Sequence, residues 1–145
     1  MANQKPVAIV TGAAAGIGHS VVSKYIETGY SVVMSDIDEE RGRPITEQIN
    51  RDGGEAIFVQ ADVSESAQCQ ALVDQAMSKY GRLDVACNNA GISGKQMMLT
   101  NCPDSEWENV IRTNLSSVFY CMKSQIPAMI DSGGGSIVNM ASVLG

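Results

Sequence analysis

The sequence of 145 residues is poor in the residue types that build metal sites and disulfide frameworks. It contains one histidine, His19, and four cysteines, no two of which lie two positions apart. This spacing argues against a zinc site. Apolar residues make up 44% of the chain, which is enough for a core without cross-links. Free thiols in a reducing compartment are therefore favoured over two disulfides.

The sequence also lacks long apolar runs and clusters of basic residues. No run approaches the roughly 18 apolar residues of a membrane span, and Gly12, Gly16 and Gly18 interrupt the one stretch that resembles a signal peptide. The 10 lysines and arginines are scattered and are outnumbered by 16 aspartates and glutamates. These absences argue against a nucleic-acid partner and against a membrane protein, and they favour a cytoplasmic location.

Five short apolar runs recur along the chain, and the first three are continuous rather than alternating. Continuous runs of this length are typical of parallel strands that are buried on both faces of a sheet. Longer stretches with helical spacing separate the runs, so the pattern predicts βαβ units and a single doubly wound α/β domain over residues 1–145. The runs are residues 7–10, 32–34, 56–59, 83–87 and 137–140.

Two of the predicted helices contain proline. Gly42 and Pro44 interrupt the stretch 38–52, which therefore predicts a kinked or late-starting helix. A longer helix over residues 104–130 is expected to kink near Pro127. Its apolar residues that are expected to face inward are Val110, Ile111, Leu115, Val118, Phe119, Met122, Ile126 and Met129.

A glycine turn or a small polar side chain follows each of the five predicted strands. The carboxyl ends of parallel strands meet at one edge of a sheet, and ligands bind outside that edge. Aspartate and asparagine also form ordinary turns, but turns alone do not explain five such ends together. The sequence therefore predicts a binding site at this edge. The residues concerned are Thr11-Gly12, Asp36, Asp62, Asn88-Asn89-Ala90-Gly91 and Ser142.

The first of these turns has the glycine spacing of a dinucleotide-binding turn, and it lies between a predicted strand and a predicted helix. The first glycine permits the tight turn, the second lets the backbone approach a pyrophosphate, and the third lets the helix pack closely on the sheet. The phosphates would meet free N–H groups at the positive end of the helix dipole. The candidate binding residues in this turn are Gly12, Ala15, Gly16, Ile17 and Gly18.

Asp36 lies 18 residues after Gly18, close to the spacing of about 20 at which an acidic residue binds the adenosine ribose. Its carboxylate can accept hydrogen bonds from ribose hydroxyls, whereas a 2′-phosphate would meet a like charge. The neighbours Ala15 and Ile37 offer no cation for such a phosphate. The alternative is that Asp36 caps the next helix, but Asp38 is available for that role. NAD is therefore favoured over NADP.

In its ordered motifs the sequence resembles the short-chain dehydrogenase/reductase family. The resemblance implies a Rossmann-like parallel sheet of strand order 3-2-1-4-5, and hydride transfer between a nicotinamide cofactor and a small alcohol or carbonyl substrate. It also implies a homo-oligomer, a dimer or a tetramer. The motifs are Thr11-Gly12-x3-Gly16-Ile17-Gly18, Asp62-Val63, Asn88-Asn89-Ala90-Gly91, Asn114-Leu115 and Ser136-Ile137-Val138-Asn139-Met140-Ala141-Ser142.

The resemblance also implies roles for single residues. Asn114 corresponds to the asparagine that disturbs its helix and holds a water of the proton relay. Ser142 corresponds to the serine that hydrogen-bonds the substrate oxygen. The motif after the third strand is expected to contact the adenine, and the motif after the fourth strand is expected to line the cofactor. The residues of these two motifs are Asp62, Val63, Asn89, Ala90 and Gly91.

The sequence departs from the family pattern because no Tyr-x-x-x-Lys motif occurs in it. In the family the tyrosine is the general acid/base and the lysine lowers its pKa. The pair belongs a short stretch beyond Ser142, and the chain stops at Gly145. Loss of a general acid or base costs typically ~10²–10⁴ in rate. Residues 1–145 are therefore expected to be the cofactor-binding half of an NAD-dependent dehydrogenase/reductase, truncated at the carboxyl end and inactive alone.

Two alternatives stay open. One is a non-catalytic module that senses or sequesters a dinucleotide. The other is a different Rossmann-like class such as a methyltransferase, which the glycine spacing and the Asn-Asn-Ala-Gly motif disfavour. If the chain belongs to the dehydrogenase/reductase family, residues 92–103 are expected to border the substrate pocket, with Met97, Met98 and Leu99 as its apolar lining or as core.

Overall fold

One parallel sheet of five strands organises residues 4–142, the part of the chain that the computed structural model describes. The strands are β1 Val7–Thr11, β2 Ser31–Asp36, β3 Ala56–Gln60, β4 Val85–Asn88 and β5 Ser136–Asn139. Each neighbouring pair is parallel, and the order across the sheet is β3-β2-β1-β4-β5. The predicted doubly wound sheet and its strand order are confirmed.

Helices connect the strands and cover both faces of the sheet. They are α1 Gly16–Glu27, α2 Glu39–Arg51, α3 Ser66–Tyr80, α4 Asp104–Ile111 and α5 Ser117–Asp131, with a short 3₁₀ turn at Leu99–Asn101 and a π-helical segment at Arg112–Ser116. Within the described part of the chain, no helix combines the length and the hydropathy that a bilayer crossing needs.

The core has two sides because every residue of β1 is buried. Val7 and Ile9 pack with side chains of α3 and α5, such as Leu72. Ala8 and Val10 pack on the other side, with side chains of α1 and α2. Two-sided burial explains why the first strands read as continuous apolar runs rather than as alternating ones.

Helix α2 begins earlier than the sequence suggested. It starts at Glu39, because the Asp38 carboxylate accepts a hydrogen bond from Arg41 N at 3.0 Å and so caps the first turn. Pro44 lies inside the helix. It removes one N–H group, and the Glu40 carbonyl therefore lacks its usual partner four residues on. Of the two expected alternatives, a late start is therefore wrong, because the cap at Asp38 sets the first helical residue at Glu39.

Helix α5 presents a different face to the core than the sequence suggested. Phe119 and Ile126 were expected to face inward, but they are 61% and 41% exposed, and Leu115 in the preceding π-helical segment is 63% exposed. The π-helical segment at Arg112–Ser116 changes the number of residues per turn, so the apolar spacing does not run straight through it. The helix continues past Pro127 to its end. Its buried residues are small or polar for the most part: Ser117, Cys121, Ser124, Gln125, Ala128 and Met129.

The close packing of α2 on β3 generates a prediction about Gly42. A Cβ added at this position would lie 2.0 Å from Cε2 of Phe58. Glycine to alanine in a free helix interior stabilises by about 1 kcal/mol, but we expect Gly42→Ala to destabilise the protein by about 1–3 kcal/mol because the ring must move. Urea denaturation measures the difference.

The control is Glu40→Ala at an exposed position of the same helix. It should change the free energy of unfolding by less than about 0.5 kcal/mol. If Gly42→Ala were more stable than the parent protein, the contact with Phe58 would not limit this position.

Candidate functional site

A cleft of about 490 Å³ opens at the carboxyl edge of the sheet. The turn after β1 and the ends of β2, β3 and β4 all contribute to its walls, as expected for a parallel sheet. The predicted cofactor-binding residues that line it are Gly12, Ala15, Gly16, Asp36, Ile37, Asp62, Val63, Asn89, Ala90 and Gly91. The structure therefore brings together motifs that lie far apart in the sequence.

The glycine turn gives the cleft an open backbone surface. Gly12 and Gly16 have φ angles of 62° and 53°, in the left-handed region that favours glycine. A Cβ added at Gly16 would meet nothing within 4 Å. Helix α1 begins there, and its N-cap residue Ala15 provides no side-chain hydrogen bond. The N–H groups of this first turn are available to an anion.

Gly18 and Ile17 belong to the predicted turn but lie outside the lining of the cleft. A Cβ added at Gly18 would lie 2.0 Å from the carbonyl oxygen of Gly12. Helix α1 therefore packs directly on the turn, which is the packing role that the sequence predicts for this glycine. The side chain of Ile17 is 63% exposed.

Asp36 is held in a fixed position at the end of β2. Its Oδ2 accepts a hydrogen bond from Ala14 N at 2.9 Å, and its Oδ1 accepts one from Asp38 N at 3.0 Å. Each carboxylate oxygen has a second lone pair for a further donor. The neighbouring Ser35 is buried, and its Oγ has no hydrogen-bond partner within the described residues.

The end of β3 provides a polar and an apolar wall. The Asp62 carboxylate accepts from Ser64 N at 2.9 Å, and Asp62 N donates to the Gln68 side chain at 2.8 Å. Val63 is 6% exposed and lies against Cys69 on α3. These contacts fix both predicted residues of the motif at the cleft.

Thr11 joins the two halves of the site, and the sequence analysis did not assign it a role. Its Oγ1 accepts hydrogen bonds from Asn89 N at 3.0 Å and from Ala90 N at 3.1 Å. In return, the Asn89 amide donates to the carbonyls of Thr11 and Gly12, each at 3.2 Å. We call these reciprocal hydrogen bonds between Thr11 and Asn89-Ala90 the Thr11 clamp. Its signal in the sequence was a hydroxyl residue directly before the first glycine.

Asn114 lies in the π-helical segment, so the helix is disturbed where the sequence predicts it. Its Oδ1 accepts from Ile92 N at 2.8 Å and its Nδ2 donates to Ile92 O at 2.7 Å. The Asn114 side chain therefore fixes the backbone at Ile92, in the loop that follows β4. Asn114 and Ser142 are both exposed and lie outside the lining of the cleft, so their catalytic roles stay predictions.

A buried polar cluster supports the cleft from behind. Gln125 on α5 is 0% exposed. Its Nε2 donates to Asn88 Oδ1 at 2.8 Å, and Asn88 Nδ2 donates to Gln125 Oε1 at 3.1 Å and to Asn139 Oδ1 at 2.9 Å. The cluster ties α5 and β5 to the end of β4, and a lone glutamine within a helical stretch gives no sequence signal for it.

Some residues that line the cleft were missed. Three of them are direct neighbours of predicted residues at the ends of β2 and β3, and the other two come from α4 and from the π-helical segment. Ile92, at the start of the stretch that was expected to border the pocket, also lines the cleft. The missed residues are Ser35, Ala61, Ser64, Asn109 and Thr113.

Comparison with known proteins gives consistent matches. The family model for short chain dehydrogenases matches residues 6–145. A cyclohexanol dehydrogenase of Acinetobacter sp. (strain SE19) is 40% identical over 139 residues, which are 96% of this chain and 55% of that protein. A 3-oxoacyl-acyl-carrier-protein reductase of Staphylococcus aureus is 36% identical over 139 residues, which are 95% of this chain and 56% of that protein.

Solved structures agree with the sequence matches. A crystal structure of a short chain dehydrogenase/reductase from Burkholderia phymatum in complex with NAD superposes with a TM-score of 0.92 at 33% identity. The match covers 97% of this chain and 50% of that chain. The chain therefore spans about half the length of the relatives it matches.

The Thr11 clamp generates a prediction about stability. Thr11→Val keeps the shape of the side chain but removes the acceptor of two N–H groups. We expect a loss of about 2–4 kcal/mol in the free energy of unfolding, because both donors lose their partner away from solvent. Thr11→Ser keeps the oxygen and should lose less than about 1 kcal/mol. Equal stability of the two variants, measured in urea, would show that the hydroxyl does not hold the two loops together.

Proposed function

Because the chain belongs to the short-chain dehydrogenase family, we propose that it is the cofactor-binding part of an NAD-dependent oxidoreductase. The observation that carries the proposal is the convergence of the glycine turn, Asp36, Asp62 and the motif after β4 on one cleft. The NAD in the Burkholderia phymatum structure supports the choice of cofactor. We also propose that residues 1–145 form one cytoplasmic domain.

The residues of the cleft fit a dinucleotide. The open space beside Gly16 and the uncapped first turn of α1 suit a pyrophosphate. The carboxylate of Asp36 suits ribose hydroxyls, since it has lone pairs beyond those used for Ala14 and Asp38. The apolar side chain of Val63 next to Asp62 suits an adenine ring.

The charge of the cleft favours NAD over NADP. Among the described residues that line it there is no lysine or arginine, whereas Asp36 and Asp62 are both acidic. A 2′-phosphate at the ribose would therefore lie near like charge without a compensating cation. The two acidic residues thus support the exclusion of NADP.

The bound cofactor would supply hydride transfer to or from the carbon of an alcohol or carbonyl substrate. In our proposal this chain binds and orients the cofactor, Asn114 holds a water of the proton relay, and Ser142 binds the substrate oxygen. No Tyr-x-x-x-Lys motif occurs in the 145 residues, so we propose that they bind the cofactor without turnover.

The proposed substrate is a small alcohol or carbonyl compound, as for the dehydrogenase of Acinetobacter, which is named for cyclohexanol. The apolar residues after β4 were expected either to line the pocket or to belong to the core. Met97, Met98 and Leu99 are 39%, 71% and 86% exposed, so a core role is wrong. A bound substrate or a further part of the fold would cover them.

We propose that the α4 and α5 side of the molecule is an association surface in a dimer or tetramer. Large apolar side chains are exposed there, among them Trp107, Leu115, Phe119 and Ile130, each at 61% or more. Exposed apolar patches of this kind are typical of protein–protein contacts.

The cofactor assignment is tested by titration of the protein with NAD and with NADP. Asp36→Ala removes the acceptor of the ribose hydroxyls, and we expect the dissociation constant for NAD to rise about 10- to 100-fold. The affinity for NADP should change less, so the dissociation constants for the two cofactors should become more similar. Calorimetric titration measures both constants.

The control for this experiment is Asp38→Ala. This substitution removes the cap of α2 and should lower stability by about 1 kcal/mol, but it should leave the NAD affinity unchanged. Tighter binding of NADP than of NAD by the unmodified protein would contradict the assignment.

Association is tested by light scattering. The protein should have at least twice the mass of the 15.4 kDa chain. Phe119→Glu places a charge in the apolar surface and should shift the protein towards the monomer. Ser23→Glu adds the same charge on the exposed side of α1 and should not. A monomeric parent protein at tens of micromolar would rule the surface out.

A further inference from the structure

A pair of buried thiols lies directly behind the cleft. Cys69 on α3 and Cys121 on α5 are 1% and 2% exposed, and their Sγ atoms are 3.6 Å apart. The Cys121 thiol donates to the Cys69 sulfur, and the Cys69 thiol donates to the carbonyl oxygen of Val63 at 3.3 Å. A chain of hydrogen bonds therefore runs from α5 through α3 to a residue that lines the cleft.

The other two cysteines have different surroundings. Cys87 is buried within β4, on the side of the sheet that faces α1 and α2. Cys102 precedes α4, is only half-buried, and contacts the adjacent Pro103 carbonyl.

We propose that Cys69 and Cys121 are a redox-active pair: hydrogen peroxide converts them to a disulfide, and the disulfide weakens the binding of the adenine nucleotide in the cleft. The first half of this proposal depends only on the thiol pair. The second half rests on the proposed cofactor function.

The chemistry balances with one peroxide molecule for two thiols. The Cys69 sulfur attacks one peroxide oxygen, the O–O bond breaks, and the leaving hydroxide takes the Cys69 proton to form water. The Cys121 sulfur then attacks the sulfenic acid on Cys69. The S–S bond forms, the S–O bond breaks, and the hydroxyl leaves as a second water with the Cys121 proton.

The surroundings distinguish the attacking thiol from the resolving one. The hydrogen bond from Cys121 lowers the pKa of Cys69 against the effect of burial. That same hydrogen bond and burial raise the pKa of Cys121. Of the two thiols, Cys69 therefore has more thiolate character, and it reacts first when a local opening between α3 and α5 admits peroxide.

The geometry requires a small movement of two helices that already pack together. A disulfide has an S–S length of about 2.04 Å, so the two sulfurs, now 3.6 Å apart, must approach each other. Oxidation also removes both S–H groups. The Val63 carbonyl, at the wall of the cleft beside Asp62, then loses the hydrogen bond that Cys69 donates to it.

The disulfide is tested on the 145-residue chain without cofactor. The reduced protein is treated with millimolar hydrogen peroxide, the remaining thiols are alkylated, and tryptic peptides are identified by mass spectrometry. We expect a peptide pair linked through Cys69 and Cys121, with Cys87 alkylated. The linkage should persist in Cys102→Ala and be absent in Cys121→Ala and in Cys69→Ala.

Two results would overturn this half of the proposal. In the first, all four thiols are alkylated after prolonged treatment. In the second, oxidation is confined to Cys102, as sulfenic acid or as an intermolecular disulfide. The peptide map of the unsubstituted protein distinguishes these two results from the expected Cys69–Cys121 linkage. It does so even if a variant at one of the buried cysteines fails to fold.

The effect on the cleft is tested by NAD titration of the reduced and the oxidised protein. We expect about a tenfold weaker affinity after oxidation, recovery with dithiothreitol, and no change in affinity on peroxide treatment of Cys69→Ala, which has no attacking thiol. Equal affinity of the two forms would refute the coupling. Absence of NAD binding by the reduced protein would instead refute the cofactor function, while the peptide map would still stand.

Discussion

The cleft depends on one exchange of hydrogen bonds between two strand ends. Where β1 and β4 stop, the backbone groups of the sheet lose their regular partners and need others. The Thr11 hydroxyl accepts two N–H groups of the β4 motif, and the Asn89 amide returns to two carbonyls of the β1 turn. Because these bonds are reciprocal, neither loop can move alone. The glycine turn after β1 therefore has a fixed distance from the loop that follows β4.

The close approach of backbone to backbone is the second constraint, and it explains which residue types the turn accepts. Helix α1 lies so near the turn that a Cβ at Gly18 would overlap the carbonyl of Gly12. Gly16 has open space instead, but its backbone is in the left-handed region. The three glycines thus answer three different requirements: a close contact with the β4 motif, an open surface, and a tightly packed helix.

The sequence predicted the elements whose signal is local or repeated along the chain. The five strands lie within a few residues of the apolar runs, and in β1 and β2 burial on both faces leaves the central positions apolar. The spacing of 18 residues from Gly18 to Asp36 likewise predicted that the glycine turn and the end of β2 lie at the same cleft. The orientation of α5 could not be predicted, because the π-helical segment breaks the helical period and the buried face of α5 is small and polar. Gln125 was missed for a related reason, because its partner Asn88 is distant in sequence. Thr11 was placed at the binding edge, but its hydrogen-bond partners were not identified, since they too are distant in sequence.

The π-helical segment has a consequence for how the chain tolerates length changes. Such a segment is equivalent to one residue added to an α-helix, and one residue in an α-helix corresponds to about 100° of rotation. A deletion of a single residue between Arg112 and Ser116 would let α4 and α5 run on as one regular helix. The part of the helix beyond the deletion would rotate by that angle relative to α4. The hydrogen bonds of Asn114 to Ile92 and of Gln125 to Asn88 would then be lost. The number of residues between α4 and α5 therefore fixes the rotation of one helix relative to the other. This stretch should be less tolerant of deletions than an exposed loop.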